Sequence, residues 1–509
     1  MTFFETLLAL VLAAVLLLQV SRRLGLPYPA MLALAGVGVA FVPGAPSILI
    51  EPHTALPLFI APVLLDAAYD LPVGAAWKLW RPLFVLSVVA VLATAAVVAW
   101  IGWAFAGLPL AAAVVLGAIV APPDAAAATA VLRSVSLPHR TLTVLKGESL
   151  FNDATALLLF AGALAVQAQG SFDGPVALQI GLAAPGGILL GIALAYLMRS
   201  VNRFVGSSLG GSLLQFVTVF GVWIIAERLH LSAVLAVVAF AMTIARSPAV
   251  NSSPRMRVHS FAVWATVVFL LNVLAFLLMG MQARTIVGRM EPARLQEALS
   301  VAGLVVAAVI VVRFVVVMFW NRLAAWSPAV RGDLGPPTLA QGVFVSWAGM
   351  RGLITMATAF ALPADFPQRD LVVLTAFAVV LATLVLQGLT LAPVIRWLRL
   401  DELEDGGRVL AKARTKLAAA GLGALETSTA PEAEALRARY TLERTPEAAA
   451  ALGRYREAGL GAVAAERAKL EWMRETHELS DDNYYLLQEE IDWRQLTLLP
   501  EDARRIEES

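Results

Sequence analysis

No cysteine occurs anywhere in the 509 residues, so a disulfide framework, a thiolate metal site and a cysteine nucleophile are all excluded. Histidine is nearly as scarce: His53, His139, His230, His259 and His477 stand far apart and never at ligand spacing, which sets zinc and redox chemistry aside. Charge is the third shortage. Only 15% of the residues are charged against 59% hydrophobic, and a mean hydropathy of +0.77 is not that of a single water-soluble globule. What charge there is divides unevenly. Residues 1–400 hold 23 Lys/Arg and 14 Asp/Glu, a balance of +9, while residues 401–509 hold 15 and 23, a balance of −8, which together leave the net +1. Two different materials are joined near residue 400.

The first material is a series of apolar stretches, each close to the ~20 residues a helix needs to cross ~30 Å of hydrocarbon. Thirteen are expected, over 3–20, 27–42, 54–69, 82–105, 109–132, 140–168, 175–198, 212–226, 231–245, 260–281, 298–320, 338–362 and 371–397. The connections between them carry their Lys and Arg lopsidedly, sixteen on one side against five on the other. Cytoplasmic loops retain positive charge, so the N-terminus is expected outside and the segment after residue 400 in the cytoplasm of a cell-membrane protein. The first stretch has no basic residue before it and Arg22-Arg23 after it, the charge order of a retained helix rather than a cleaved signal.

Ionisable groups inside a membrane are costly, and each asks for a partner or a role. Five stand out: Asp124, Glu148, Asp153, Arg313 and Arg351. Asp124 follows Ala121-Pro122-Pro123 in the fifth span, and paired prolines remove backbone donors and clash with the preceding turn, so that helix is expected to break. Proline alone would be read as a packing kink; an aspartate at the break points to function. Arg351 lies in Gly349-Met350-Arg351-Gly352 of the twelfth span, where glycines permit a second interruption. Spans five and twelve run in opposite directions, as an inverted repeat with two unwound helices at a shared midplane site requires.

The sixth span reads Gly147-Glu148-Ser149-Leu150-Phe151-Asn152-Asp153-Ala154. On a helix Ser149 and Asp153 share a face, Asn152 is adjacent, and Glu148 sits about 140° from Asp153. Asp153 with Ser149 makes an oxygen-rich niche for a hard monovalent cation, and Glu148 points elsewhere toward a positive partner. Ser and Asn singly are more often helix glue, but an intramembrane aspartate is poorly explained that way. Three acids against two arginines leave one carboxylate free. Such a group holds either a proton or a Na+ ion, so competition for it gives one-for-one exchange, completed by rocking one bundle against the other. An aspartate in place of Asn152 would add a second titratable group and alter the proton count.

At these residues the chain resembles the monovalent cation:proton antiporter-1 family, the sodium/proton exchangers and their prokaryotic relatives. The resemblance rests on Gly147 to Ala154, on Leu116-Gly117-Ala118-Ile119-Val120 leading into Pro123-Asp124, and on Gly349 to Gly352, and it covers roughly residues 1–400. It implies an all-α polytopic membrane protein of thirteen helices, working as a homodimer in lipid, with core helices around 82–168 and 298–397, two of them crossed and unwound, and dimerisation helices in the remainder. It implies that Asp153 carries the ion and proton beside Asn152 and Ser149, with Asp124 and the backbone at Pro123 close by. Where the family often has Thr-Asp-Pro in the first unwound helix, this chain has Pro123-Asp124-Ala125, so carbonyls at Pro122 and Pro123 stand in for a threonine oxygen. It also implies an arginine partner for Glu148; Arg313 is favoured for Glu148 and Arg351 for Asp124.

Asp66, near the inner end of span three, is read first as an interfacial acid and second as the lining of a cytoplasmic funnel, and Asn272 and Gln387 are expected to make interhelical hydrogen bonds. Residues 401–509 read as several short amphipathic helices interrupted at Gly421 to Pro431 and near Pro446, a cytoplasmic tail that packs on itself, dimerises, or lies against basic inner loops. Neither part contains a phosphate loop, a catalytic dyad or a nucleic-acid motif, so no enzyme, cofactor or nucleic-acid partner is expected. The expected function is antiport of Na+, or alternatively K+ or Li+, against a proton. A cation channel needs a continuous pore, and a sensor with a regulatory tail does not need Asp153.

Overall fold

The computed structural model describes residues 3–24, 26–42, 52–69, 71, 73–124, 127–128, 139–170, 173–205, 209–246, 254–288, 290–332, 334–400, 406–426, 430, 432–444, 449–476, 478–479 and 481–500. Every regular element among them is helical, as lipid demands of a backbone that must satisfy its own polar groups. The chain divides into two compact units near residue 403.

The first unit begins with α1 (Phe3–Leu24), α2 (Tyr28–Ala40), α3 (Pro52–Tyr69) and α4 (Trp80–Ala106), the last with one π turn at Val85–Val89. Gly107, at φ 62°, closes α4 in the left-handed conformation that glycine alone adopts without strain. It continues through α5 (Leu110–Val120), α6 (His139–Gln169), α7 (Gly174–Val205), α8 (Leu209–Arg228), α9 (Ala233–Ala245), α10 (Pro254–Met281) and α11 (Pro292–Trp326). Two half-helices, α12 (Leu339–Trp347) and α13 (Leu353–Phe360), then precede α14 (Arg369–Trp397). Each expected apolar span contains helix, but only seven helices among the described residues are long and apolar enough to cross a membrane. The spans outside those seven include the two interrupted ones and short helices such as α2 and α9, which at 13 residues rise only about 20 Å.

Burial sets the layers. The most apolar stretch of α14 is 72% buried and that of α7 only 22%, so α14 runs through the interior and α7 along the lipid face. Backbones approach most closely where α2 meets α10: a Cβ added to Gly36 or to Gly280 would lie 2.9 Å from the other glycine's Cα. Without a hydrophobic force between helices in lipid, such contacts carry the packing. Trp80 and Trp100 of α4 are both exposed, and their spacing along the helix is about 30 Å, the thickness of the hydrocarbon between two aromatic belts.

The second unit holds α15 (Gly406–Leu425), α16 (Glu432–Arg444), α17 (Ala449–Glu475) and α18 (Asp481–Leu498). The interruption expected over Gly421 to Pro431 is present but starts later than its first glycine: α15 runs through Gly421 and Gly423 to Leu425, with Gly421 seated against the Tyr440 ring, and α16 begins at Glu432. Nor are all the helices short, since α17 has 27 residues. The interruption expected near Pro446 lies outside the described residues. Val463, Leu470, Tyr484 and Ile491 form a small core between α17 and α18, tied by Arg467 to Asp492 at 2.5 Å and Tyr484 to Glu471 at 2.5 Å.

Candidate functional site

Both expected breaks are present, and they meet. α5 ends at Val120, and residues 121–124 run without helix; the remainder of that span lies largely outside the described residues. The second break separates α12 from α13 over residues 348–352. The Asp124 amide donates to the Met350 carbonyl at 2.7 Å, so the two unwound segments pair through backbone.

Each break leaves a helix end inside the membrane, and each is met by a charge of the right sign from the other break. The Arg351 guanidinium, 1% exposed, reaches the C-terminal end of α5, where Nε donates to Val120 O at 3.1 Å and one Nη to Ala121 O at 3.2 Å, while the other Nη turns back to Gly349 O in its own segment. The N-terminus of α13 has no cap of its own, because Gly352 precedes it; instead the Leu353 amide donates to Asp124 Oδ2 at 3.2 Å. The structure therefore differs from the expected Arg351–Asp124 ion pair. Arg351 spends its donors on helix carbonyls, which its fork can reach in number, and Asp124 caps a helix.

The other expected pair forms. Arg313 of α11 donates to Glu148 of α6 through both Nη atoms, at 2.5 and 3.1 Å, with the two side chains 3% and 2% exposed. Its remaining donors reach Val345 O at 2.9 Å and Ser346 O at 3.3 Å, the loose carbonyls at the end of α12. A Cβ on Gly349 would fall on the Arg313 side chain, which explains a glycine there.

Asn152 and Asp153 lie about one turn beyond Glu148 on α6. Asn152, fully buried, donates Nδ2 to Pro123 O at 3.0 Å and so ties α6 to the first break; its Oδ1 has no hydrogen-bond partner among the described residues. Asp153 is 5% exposed, within electrostatic reach of Asp124, and makes no hydrogen bond or ion pair among the described residues. Ser149 lies one turn before Asp153 on the same face and is half-buried. The arrangement brings an ionisable oxygen pair, an unused amide oxygen, a hydroxyl and a proline carbonyl to one place beside two crossed helix ends. Hard oxygens of this kind suit an alkali cation or a proton. No cluster of three His, Cys, Asp or Glu is present among the described residues.

The model of the transmembrane sodium/hydrogen exchangers matches residues 8–397. The chain belongs to that family. A Mycobacterium tuberculosis protein described as an uncharacterized Na(+)/H(+) exchanger is 30% identical, the match covering 83% of this chain and 79% of that protein. An antiporter of Bacillus pumilus described as acting on sodium, potassium, lithium and rubidium against H(+) is 28% identical over 72% of this chain and 57% of its own length. The solved sodium proton antiporter MjNhaP1 of Methanocaldococcus jannaschii shares the fold, with a TM-score of 0.60 at 16% identity, over 78% of this chain and 99% of its own.

Within this exchanger the sequence reading missed Thr383 of α14, whose Oγ1 accepts the Arg351 amide at 3.0 Å. No signal marked it, because a threonine in an apolar helix ordinarily bonds back to its own preceding turn, as Thr383 also does to Val379 O at 2.8 Å. Gly352 is held to glycine by the same crossing, for an added Cβ would overlap the Asp124 carboxylate. Gly352→Ala is expected to abolish exchange and to lower stability by about 1–3 kcal/mol, the usual range for overpacking. Gly303→Ala, with nothing within 4 Å of its Cβ, is the matched control expected to leave both unchanged. Vesicle transport and thermal unfolding of the two variants check this.

Proposed function

We propose that the protein exchanges one Na+ for one proton at Asp153, by alternating exposure of a single site to the two faces of the cell membrane. The observation that carries this reading is the contrast among the buried charges. Glu148 is held by Arg313, and Arg351 and Asp124 are each committed to a helix end, whereas Asp153 has no such commitment among the described residues. A carboxylate in that position binds a cation or a proton, and the two exclude each other by charge and by space. Asn152 Oδ1, Ser149 and the Pro123 carbonyl complete the cation's oxygen shell, the last two standing in for water that Na+ leaves behind. The negative Asp124 nearby favours cation entry, and alternating access follows from moving the crossed helices as a body against their surroundings.

K+ as the cargo is the second reading, favoured by the similarity to an antiporter named for four alkali cations. The lopsided loop charge supports an outside N-terminus and a cytoplasmic second unit, and the family's habit supports a homodimer in lipid. The test is reconstitution in proteoliposomes under a proton gradient, with dequenching followed on addition of Na+, Li+ or K+ and the membrane potential clamped or free. Rates that ignore the potential support one-for-one exchange; rates that follow it overturn it. A response to K+ equal to that for Na+ moves the cargo to the second reading.

Removing residues 406–509 deletes a unit with its own small core, so the first unit is expected to fold and to exchange within about twofold of the full chain, as separable domains do. The dependence on pH is where a change is expected. Loss of membrane-inserted protein on deletion would overturn this.

A further inference from the structure

Gln387 of α14 is fully buried, and neither its Oε1 nor its Nε2 has a hydrogen-bond partner among the described residues. Among the described residues it does not make the interhelical hydrogen bond expected of it from sequence. A primary amide inside a membrane protein is stable only when its donors and acceptor are met. Its surroundings are those of the second break. Thr383, one turn earlier, accepts the Arg351 amide at 3.0 Å, and Thr390, one turn later, accepts from Trp347 Nε1 at 2.9 Å. A Cβ on the next residue, Gly388, would lie 3.4 Å from Met350 Sδ. Within that same unwound segment the amides of Gly349 and Met350 make no hydrogen bond among the described residues. Unused donors and acceptors thus occur on α14 and on the segment packed against it, between Thr383, which grips the segment at Arg351, and Thr390, which holds Trp347 at the end of α12.

We infer that Gln387 is a positioning residue, holding ordered water between α14 and the unwound segment 348–352 and thereby fixing the crossing of Arg351 and Asp124. Water supplies two donors and two acceptors, which matches an amide on one face and open peptide groups on the other. The inference rests on the proposed role of the crossing in cation binding. A purely packing role for Gln387 predicts that an apolar residue of similar volume is neutral or stabilising, since it removes an unpaired amide.

The full chain in lipid nanodiscs is labelled by pulsed hydroxyl radicals in 18O water, and Met350, 1% exposed, is read by mass spectrometry. The wild type is expected to incorporate 18O at Met350, and Gln387→Leu to lose about tenfold of that labelling. In proteoliposomes Gln387→Leu is expected to raise the KM for Na+ about tenfold with kcat within about twofold, and Gln387→Asn, which keeps the amide, to stay near the wild type. Gln387→Met carries the same comparison if the leucine variant does not fold. An unlabelled Met350 in the wild type, or apolar variants with the wild-type KM and labelling, would overturn the inference. If the wild type moves no cation, the proposed function fails while the labelling still reports on Gln387.

Discussion

Asp153→Asn is expected to reduce cation-driven proton movement to the rate of empty vesicles while leaving the protein folded. Asparagine has the same size and keeps one oxygen, so the packing of α6 against the first break is undisturbed. What it loses is the negative charge and the titratable oxygen to which the proposed exchange assigns the cation and the proton. Because Asp153 is 5% exposed and has no ion pair among the described residues, removing its charge also removes a desolvation cost, and the thermal midpoint is expected to hold or rise. Loss of transport with retained stability is the signature of a working group rather than a structural one. Exchange persisting in Asp153→Asn would remove this residue from its assigned part and pass the role to Asp124.

The opposite signature is expected at the Glu148–Arg313 pair. Arg313→Met leaves the Glu148 carboxylate buried at 2% exposure without its counter-charge, and leaves the carbonyls of Val345 and Ser346 without a donor. Breaking a buried pair on one side costs about 3–5 kcal/mol, which corresponds to a fall in the thermal midpoint on the order of 5–10 °C. The double variant Glu148→Gln, Arg313→Met removes the stranded charge and is expected to recover most of that loss. If it melts as low as the single variant, the carbonyls at the end of α12 rather than the ion pair are what Arg313 serves. The exposed pair Arg494–Glu466 in the second unit, with side chains 52% and 43% exposed, offers the contrast: its removal is expected to cost under about 1 kcal/mol.

The helices and both interruptions were legible because their causes are local. Paired prolines and glycines act on their own backbone, and hydropathy acts along a single helix. Partnerships were less so. Glu148 and Arg313 are far apart in sequence and were joined by family resemblance and charge balance. The pairing of Arg351 with Asp124 was misread because balance counts only side-chain charges, while broken helices expose carbonyls and amides that serve equally well as partners: Val120, Ala121 and Gly349 for the arginine, Leu353 for the aspartate. Thr383 and Gln387 were opaque for a related reason, since a polar residue in an apolar helix has several cheap ways to be satisfied and sequence does not say which is taken. In the second unit Gly421 read as a stop, yet the neighbouring Tyr440 ring fills the space above it and the helix continues.

Burial of the Glu148–Arg313 pair also bears on the conditions such a protein meets. Mobile ions weaken attraction between exposed charges over about 10 Å at 0.1 M, but they do not enter a packed interior. The fastening between α6 and α11 is therefore indifferent to brine, and the framework keeps its strength across a wide range of salinity.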